Sequence, residues 1–110
     1  MKKLKSPYPK EVYRKNAMLY KVMANAKRLE ILNTIKDKEA NVNDLSEILG
    51  TRKSNTSQHL AYLRYLGLVT ARRSGKNIFY KIADPGIVEP CRIFRELSEK
   101  GKLLKATNVT

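Results

Sequence analysis

Ser54, Ser57 and Gln58 lie close together in a stretch that also holds Lys53, Asn55, His59 and Arg64, and the cations Arg72, Arg73 and Lys76 follow. Hydroxyl and amide side chains can read the edges of bases, a Gln amide being able to pair with adenine, whereas Lys and Arg neutralise phosphates without reading sequence. From Ile48 to Ala83 there is no Asp or Glu, yet Arg52, Lys53, Arg64, Arg72, Arg73, Lys76 and Lys81 fall in that window. Carboxylates near a contact surface repel a polyanion, so an acid-free basic stretch suits DNA. The net charge of +13 on 110 residues points towards an anionic partner of some kind: nucleic acid, an anionic membrane or an acidic protein.

Other chemistries are poorly supplied. His59 is the only histidine and Cys91 the only cysteine. The sequence has no Gly-rich phosphate loop, no nucleophile with a base and an orienting group, and no metal-ligand set. No enzymatic activity, catalytic residue, metal site or cofactor is therefore expected. One cysteine rules out an intrachain disulfide framework, which fits a reducing compartment. No apolar run approaches the roughly 20 residues of a membrane span, and the Lys-rich start lacks the apolar segment of a signal peptide. A cytoplasmic protein without membrane association is expected.

Residues 1–9, Lys-rich with Pro7 and Pro9, are expected to form a mobile basic arm, residues 10–104 one domain, and residues 105–110 a flexible C-terminus. Val12, Leu19, Val22 and Met23 suit a first helix over residues 10–23. Asn25 is placed to cap a second over residues 26–36, with Leu29, Ile31, Leu32 and Ile35 at largely helical spacing. Asn43 or Asp44 can cap a short third helix bearing Leu45, Ile48 and Leu49, and Gly50 can close it. After a tight turn comes a fourth, the recognition helix of residues 52–66, which completes a helix-turn-helix.

At about 100° per residue, Thr56, Leu60, Leu63 and Leu66 form the buried side of that helix. Ser54, Gln58, Ala61 and Tyr65, flanked by Ser57, form its exposed side. His59 falls at the edge of the buried side, where it suits a hydrogen-bonded packing role or a phosphate contact. Arg64 lies further along and suits a backbone contact or an intramolecular pair. β-Branched and aromatic residues on both sides of Ser74-Gly75-Lys76 give a β-hairpin wing over residues 68–83, with Ile78, Tyr80 and Ile82 towards the core. A final helix settling after Pro90 carries the stripe Ile87, Cys91, Phe94 and Leu97. The expected fold class is mainly α with a two-stranded β-hairpin wing (α+β), a winged helix-turn-helix in the order α-α-α-α-β-β-α.

The run Ala24-Asn25-Ala26-Lys27-Arg28-Leu29-Glu30-Ile31-Leu32 resembles the second-helix signature of the ArsR/SmtB-type winged-helix repressors. Ser57-Gln58-His59-Leu60, Leu63-Arg64 and Gly67-Leu68-Val69 resemble their recognition helix leading into the wing. Arg72, Arg73, Gly75, Phe79 and Tyr80 continue the likeness, which runs from about Met18 to Ile82. The resemblance implies a homodimer built from the first and last helices, which represses transcription by occupying double-stranded operator DNA and releases it when an inducer binds. Metal-sensing relatives carry cysteines around the start of the third helix, where Asn41 and Asn43 stand here, or pair Asp with His on the last helix, where Asp84 has no histidine beside it. Dithiol-sensing relatives use a cysteine late in the second helix, a position held by Asn33. Thr51 and Arg52 stand in place of an apolar residue and a capping Ser, and Thr56 in place of an aliphatic one.

Cys91 is then either an apolar core residue or a redox or ligand thiol near a twofold axis. The apolar stripes of the first and last helices favour a dimer on their own account, since a chain of this size struggles to cover them alone. Such a dimer would bind an inverted repeat. Two other functions fit the same fold, a constitutive or architectural DNA-binding protein and a winged-helix protein-interaction module. The inducer is not identified by any residue of the sequence.

Overall fold

Three hydroxyls, two asparagine caps and one stripe of leucines set the geometry of a computed structural model that describes residues 3–104. The elements run α1 (Lys10–Met23), α2 (Ala26–Thr34), α3 (Val42–Leu49), α4 (Lys53–Tyr65), β1 (Val69–Ser74), β2 (Asn77–Ile82), a 3-10 turn (Pro85–Val88) and α5 (Glu89–Glu99). Asn25 Oδ1 accepts from the Arg28 amide at 3.1 Å and Asn41 Oδ1 from the Asp44 amide at 2.9 Å, satisfying amides that an isolated helix start leaves free. Gly50, at φ 65°, closes α3 in the left-handed conformation.

The core is the meeting of α2, α3 and α4. Ile31, Leu32, Ile35, Leu45, Leu60 and Leu63 are fully buried there, and Val69 and Ile82 extend the core under the root of the hairpin. β1 and β2 pair antiparallel from Val69↔Ile82 to Ser74↔Asn77. Ala40 exchanges backbone hydrogen bonds with Tyr80 at 3.1 and 2.8 Å, so the α2–α3 loop adds a one-residue third strand to the sheet. By the period of two, Val69, Ala71 and Arg73 share the inner face with Ile78, Tyr80 and Ile82, while Arg72 and Phe79 lie on the outer face.

Several boundaries differ from the sequence expectation. α2 stops at Thr34 rather than residue 36, where Thr34 Oγ1 donates to the Glu30 carbonyl and Asn33 Nδ2 to that of Leu29, local bonds that compete with continuation. Asn41, not Asn43 or Asp44, caps α3. Arg52 and Leu66 are the flanking caps of α4, and Leu66 is only half-buried. α5 begins at Glu89, so Pro90 sits inside its first turn, where a missing N–H costs nothing. Ile78 is 39% exposed rather than turned into the core, because the hairpin outruns the body and its tip has nothing beneath it. In the segment before α1, Ser6 Oγ donates to the Tyr13 hydroxyl and the Tyr8 ring stands edge-on to Tyr13. The expected flexible tail of residues 105–110 and the first two residues of the expected arm lie outside the described residues.

Thr56 is the one fully buried polar side chain on the inner stripe of α4. Its Oγ1 accepts from Ser46 Oγ of α3 at 2.9 Å, lies 2.9 Å from Thr51 Oγ1 of the turn, and donates to the Arg52 carbonyl at 3.3 Å. One hydroxyl thus joins both helices of the pair and the turn between them. Thr56→Val should destabilise the protein by about 1–3 kcal/mol, because the buried Ser46 hydroxyl loses its partner. Adding Ser46→Ala should recover part of that loss in urea unfolding. A Thr56→Val protein as stable as the parent would contradict this role.

Candidate nucleic-acid interface

Burying Thr56, Leu60 and Leu63 forces the other side of α4 outward, and Ser54, Asn55, Ser57, Gln58, Ala61, Arg64 and Tyr65 are exposed. Arg52 caps the helix without a side-chain hydrogen bond, so the first amides of α4 remain available beside the exposed Lys53. Free amides, the helix dipole and an ammonium group together suit a phosphate oxygen. Ser57 also lines a groove of about 340 Å³ whose far wall is the wing, through Lys76, Asn77 and Ile78, and whose floor includes Asn43 at the start of α3. The structure therefore brings the helix and the hairpin turn to one continuous surface.

Arg73 shares the inner strand face with Ile78, and among the described residues its side chain makes one hydrogen bond, a long one of 3.4 Å to the Gly75 carbonyl. Arg72 is placed differently. Its Nε and Nη2 each donate to the Glu39 carboxylate at 3.0 Å, and its guanidinium lies 5.2 Å from the Phe79 ring centroid. Those hydrogen bonds hold the Glu39 carboxyl below its ordinary pKa. Arg72 thus differs from Arg73 and Lys76, because two of its donors already meet Glu39 on the outer face.

His59 sits at the boundary of the buried stripe, as its helical position indicates, and Nδ1 accepts from Arg28 Nε at 3.4 Å. Arg28 also donates to the Val22 carbonyl at 2.9 Å and stacks 4.7 Å from the Tyr62 ring centroid, so one side chain of α2 ties the end of α1 to α4. Its neighbour Lys27 donates to the Leu49 carbonyl at 2.8 Å, placing a cation at the C-terminus of α3. Sequence reading caught Lys27 and Arg28 only as part of a family pattern. It placed Glu39 in the charged loop after the second helix but not as the partner of Arg72, which lies 33 residues away.

Cys91 is half-buried in the first turn of α5. On one side it meets an apolar hollow with Tyr20, Met23, Leu29 and Phe94, and on the other a more polar one with Lys36, Arg92 and Arg95. Among the described residues no three His, Cys, Asp or Glu side chains gather closely enough to hold a metal ion, and no helix is long and apolar enough to cross a membrane.

A core of three helices, the last entered by a short turn and presenting an exposed polar face, and a basic hairpin beside it define a winged helix-turn-helix protein. Residues 25–71 match the family described as bacterial regulatory protein, arsR family. The transcriptional activator HlyU of Vibrio cholerae is 44% identical over 69 residues, covering 63% of this chain and 64% of that protein. The protein described as uncharacterized HTH-type transcriptional regulator Rv0081 of Mycobacterium tuberculosis is 36% identical over 87 residues, covering 78% of this chain and 76% of that protein. A solved structure of the Vibrio cholerae HlyU superposes with a TM-score of 0.72 at 35% identity, over 81% of this chain and 97% of that one. The chain spans just under two thirds of the curated HlyU and 49% of the mycobacterial regulator KmtR. This chain belongs to the arsR family of bacterial regulatory proteins.

Burial, and secondarily the Arg28 charge, push the His59 pKa below its ordinary 6.5. The unfolded chain therefore takes up a proton that the folded chain still refuses, so the His59 contribution is complete above about pH 6.5 and is lost as pH falls towards the folded pKa. Unfolding in urea from pH 7.5 down to 5.5 should show that loss, and His59→Asn, whose amide oxygen can still accept from Arg28, should lack it. Equal pH slopes for the two proteins would contradict the assignment.

Proposed function

We propose that this protein is a sequence-specific DNA-binding transcriptional regulator, acting as a homodimeric repressor on an inverted-repeat operator in the cytoplasm. The observation that carries the reading is the continuous acid-free surface formed by the outer face of α4 and the wing across the Ser57 groove. Ser54, Ser57 and Gln58 are the readers of base edges in the major groove. Lys53, Asn55 and Arg64 hold the phosphates that flank it, and Arg73 and Lys76 reach the neighbouring backbone or minor groove. His59 supports the helix from behind rather than touching DNA.

Dimerisation is supported by α5, which has an apolar side but no buried residue, with Ile93 and Phe94 41% and 54% exposed. On α1, Met18, Leu19 and Tyr20 are similarly open. Faces of this size on two adjacent helices ask for a partner, and a second copy supplies the same pair of faces under twofold symmetry. Two copies related in that way set their recognition helices about one turn of DNA apart, ~34–36 Å. The named relatives include both an activator and a biofilm growth-associated repressor. Repression is the simpler role here, because occupying an operator requires only the DNA-binding surface and the dimer.

Selection of bound duplexes from a random pool should return an inverted repeat with half-sites one turn apart, and recovery of no common sequence would sink the proposal. With the selected site in hand, Gln58→Ala should lose discrimination at a few base pairs, by about 1–3 kcal/mol at each position it reads. Arg73→Ala should weaken all sequences alike and lower the salt dependence by about one charge.

A further inference from the structure

Among the described residues, the Arg72–Glu39 pair is the only side-chain hydrogen-bonded link between the wing strands and the rest of the chain. The backbone anchors the hairpin lower down, through Ala40 with Tyr80 and through the Ile82 amide to the Ile35 carbonyl. Register places Arg72 opposite Phe79, and the Ala40 bridge brings Glu39 alongside the next position on the far edge. The guanidinium therefore crosses the outer face of β2, resting on the Phe79 ring, and ends in a two-pronged pair with the carboxylate of the α2–α3 loop. Arg73, one residue on, points to the opposite face, where the Ser57 groove opens.

We propose that Arg72 and Glu39 are positioning residues for the wing: the pair fixes the tilt of the hairpin on the helix-turn-helix so that Arg73 and Lys76 stand beside the recognition helix. This rests on the DNA-binding reading of the wing. An exposed ion pair contributes little to global stability. A pair that spans three strands, however, restricts a lever whose basic tip lies beyond any core contact. Arg72 then acts on DNA only through Arg73 and Lys76, and Glu39, an acid in a strongly basic protein, favours DNA binding instead of opposing it.

The test uses the full chain with Glu39→Gln, Arg72→Ala and the charge-reversed pair Arg72→Glu with Glu39→Arg. Without DNA, amide hydrogen exchange in the wing turn, residues 73–78, should quicken about 2–5-fold in both single variants and return towards the parent in the reversed pair. Unchanged exchange in Glu39→Gln would overturn the brace, and this readout stands whether or not the parent binds DNA. On the selected operator, both single variants should bind about 2–5-fold more weakly at every salt concentration, with the parent's salt dependence, and the reversed pair should recover. Removing an acid should by charge alone tighten binding, so weaker binding by Glu39→Gln points to geometry. Tighter binding by Glu39→Gln, together with an Arg72→Ala protein whose salt dependence drops by about one charge, would make Arg72 a phosphate contact and overturn the proposal. A parent that binds no duplex would instead remove the DNA-binding reading, leaving the exchange result to judge the brace.

Discussion

The inner stripe of α4 is the constraint on which the rest of the structure depends. A helix can present Ser54, Ser57 and Gln58 outward only if its opposite side is held against something, and Thr56, Leu60 and Leu63 are all fully buried against α2 and α3. Leucines give that contact its area but little directionality. The Thr56 hydroxyl adds direction, since its bonds to Ser46, Thr51 and the Arg52 carbonyl fix the rotation of α4 about its axis as well as its distance from α3. A helix rolled by one residue would turn Gln58 away from the exposed face and bring a charged or amide side chain inward.

Cations that a charge count would assign to the partner are in fact shared between binding and construction. Lys27 holds the end of α3, Arg28 joins α1 to α4 through Val22, His59 and Tyr62, and Arg72 is paired with Glu39. Lys53, Arg73 and Lys76 have no carboxylate partner among the described residues and stand on the surface shared by α4 and the wing. Net charge sets the range and strength of attraction to a polyanion, while the fold decides which charges can touch it. Arg28 also gives a short mechanical path from α1, a helix with an open apolar face, to α4.

Much of the fold was legible because its signals are local. Apolar spacing located all five helices, capping chemistry the Asn25 start and the Gly50 stop, and Ser74-Gly75-Lys76 marked the hairpin. The start of α3 was misplaced because Asn41, Asn43 and Asp44 are all competent caps within four residues, and only the backbone path through the Ala40 bridge selects Asn41. Ile78 was misjudged because strand alternation tells which face a residue occupies, not whether the body extends far enough to cover it. The outer face of α4 followed from helical geometry, and its exposed residues coincide with those expected. The Glu39 partner of Arg72 and the threefold role of Arg28 were hidden, since charge pairs between distant segments leave no period in the sequence.

The central claim is that the α4 face and the wing together recognise a particular DNA sequence rather than merely attract a polyanion. Equilibrium titration of the protein against its selected inverted repeat and against a scrambled duplex of equal length and composition, over a range of salt concentrations, tests this most directly. The expected result is a preference for the inverted repeat of about 10³ or more at physiological salt, with affinity for both duplexes falling as salt rises. Nearly equal affinity for the two duplexes would contradict it, leaving a basic protein that binds DNA by charge alone.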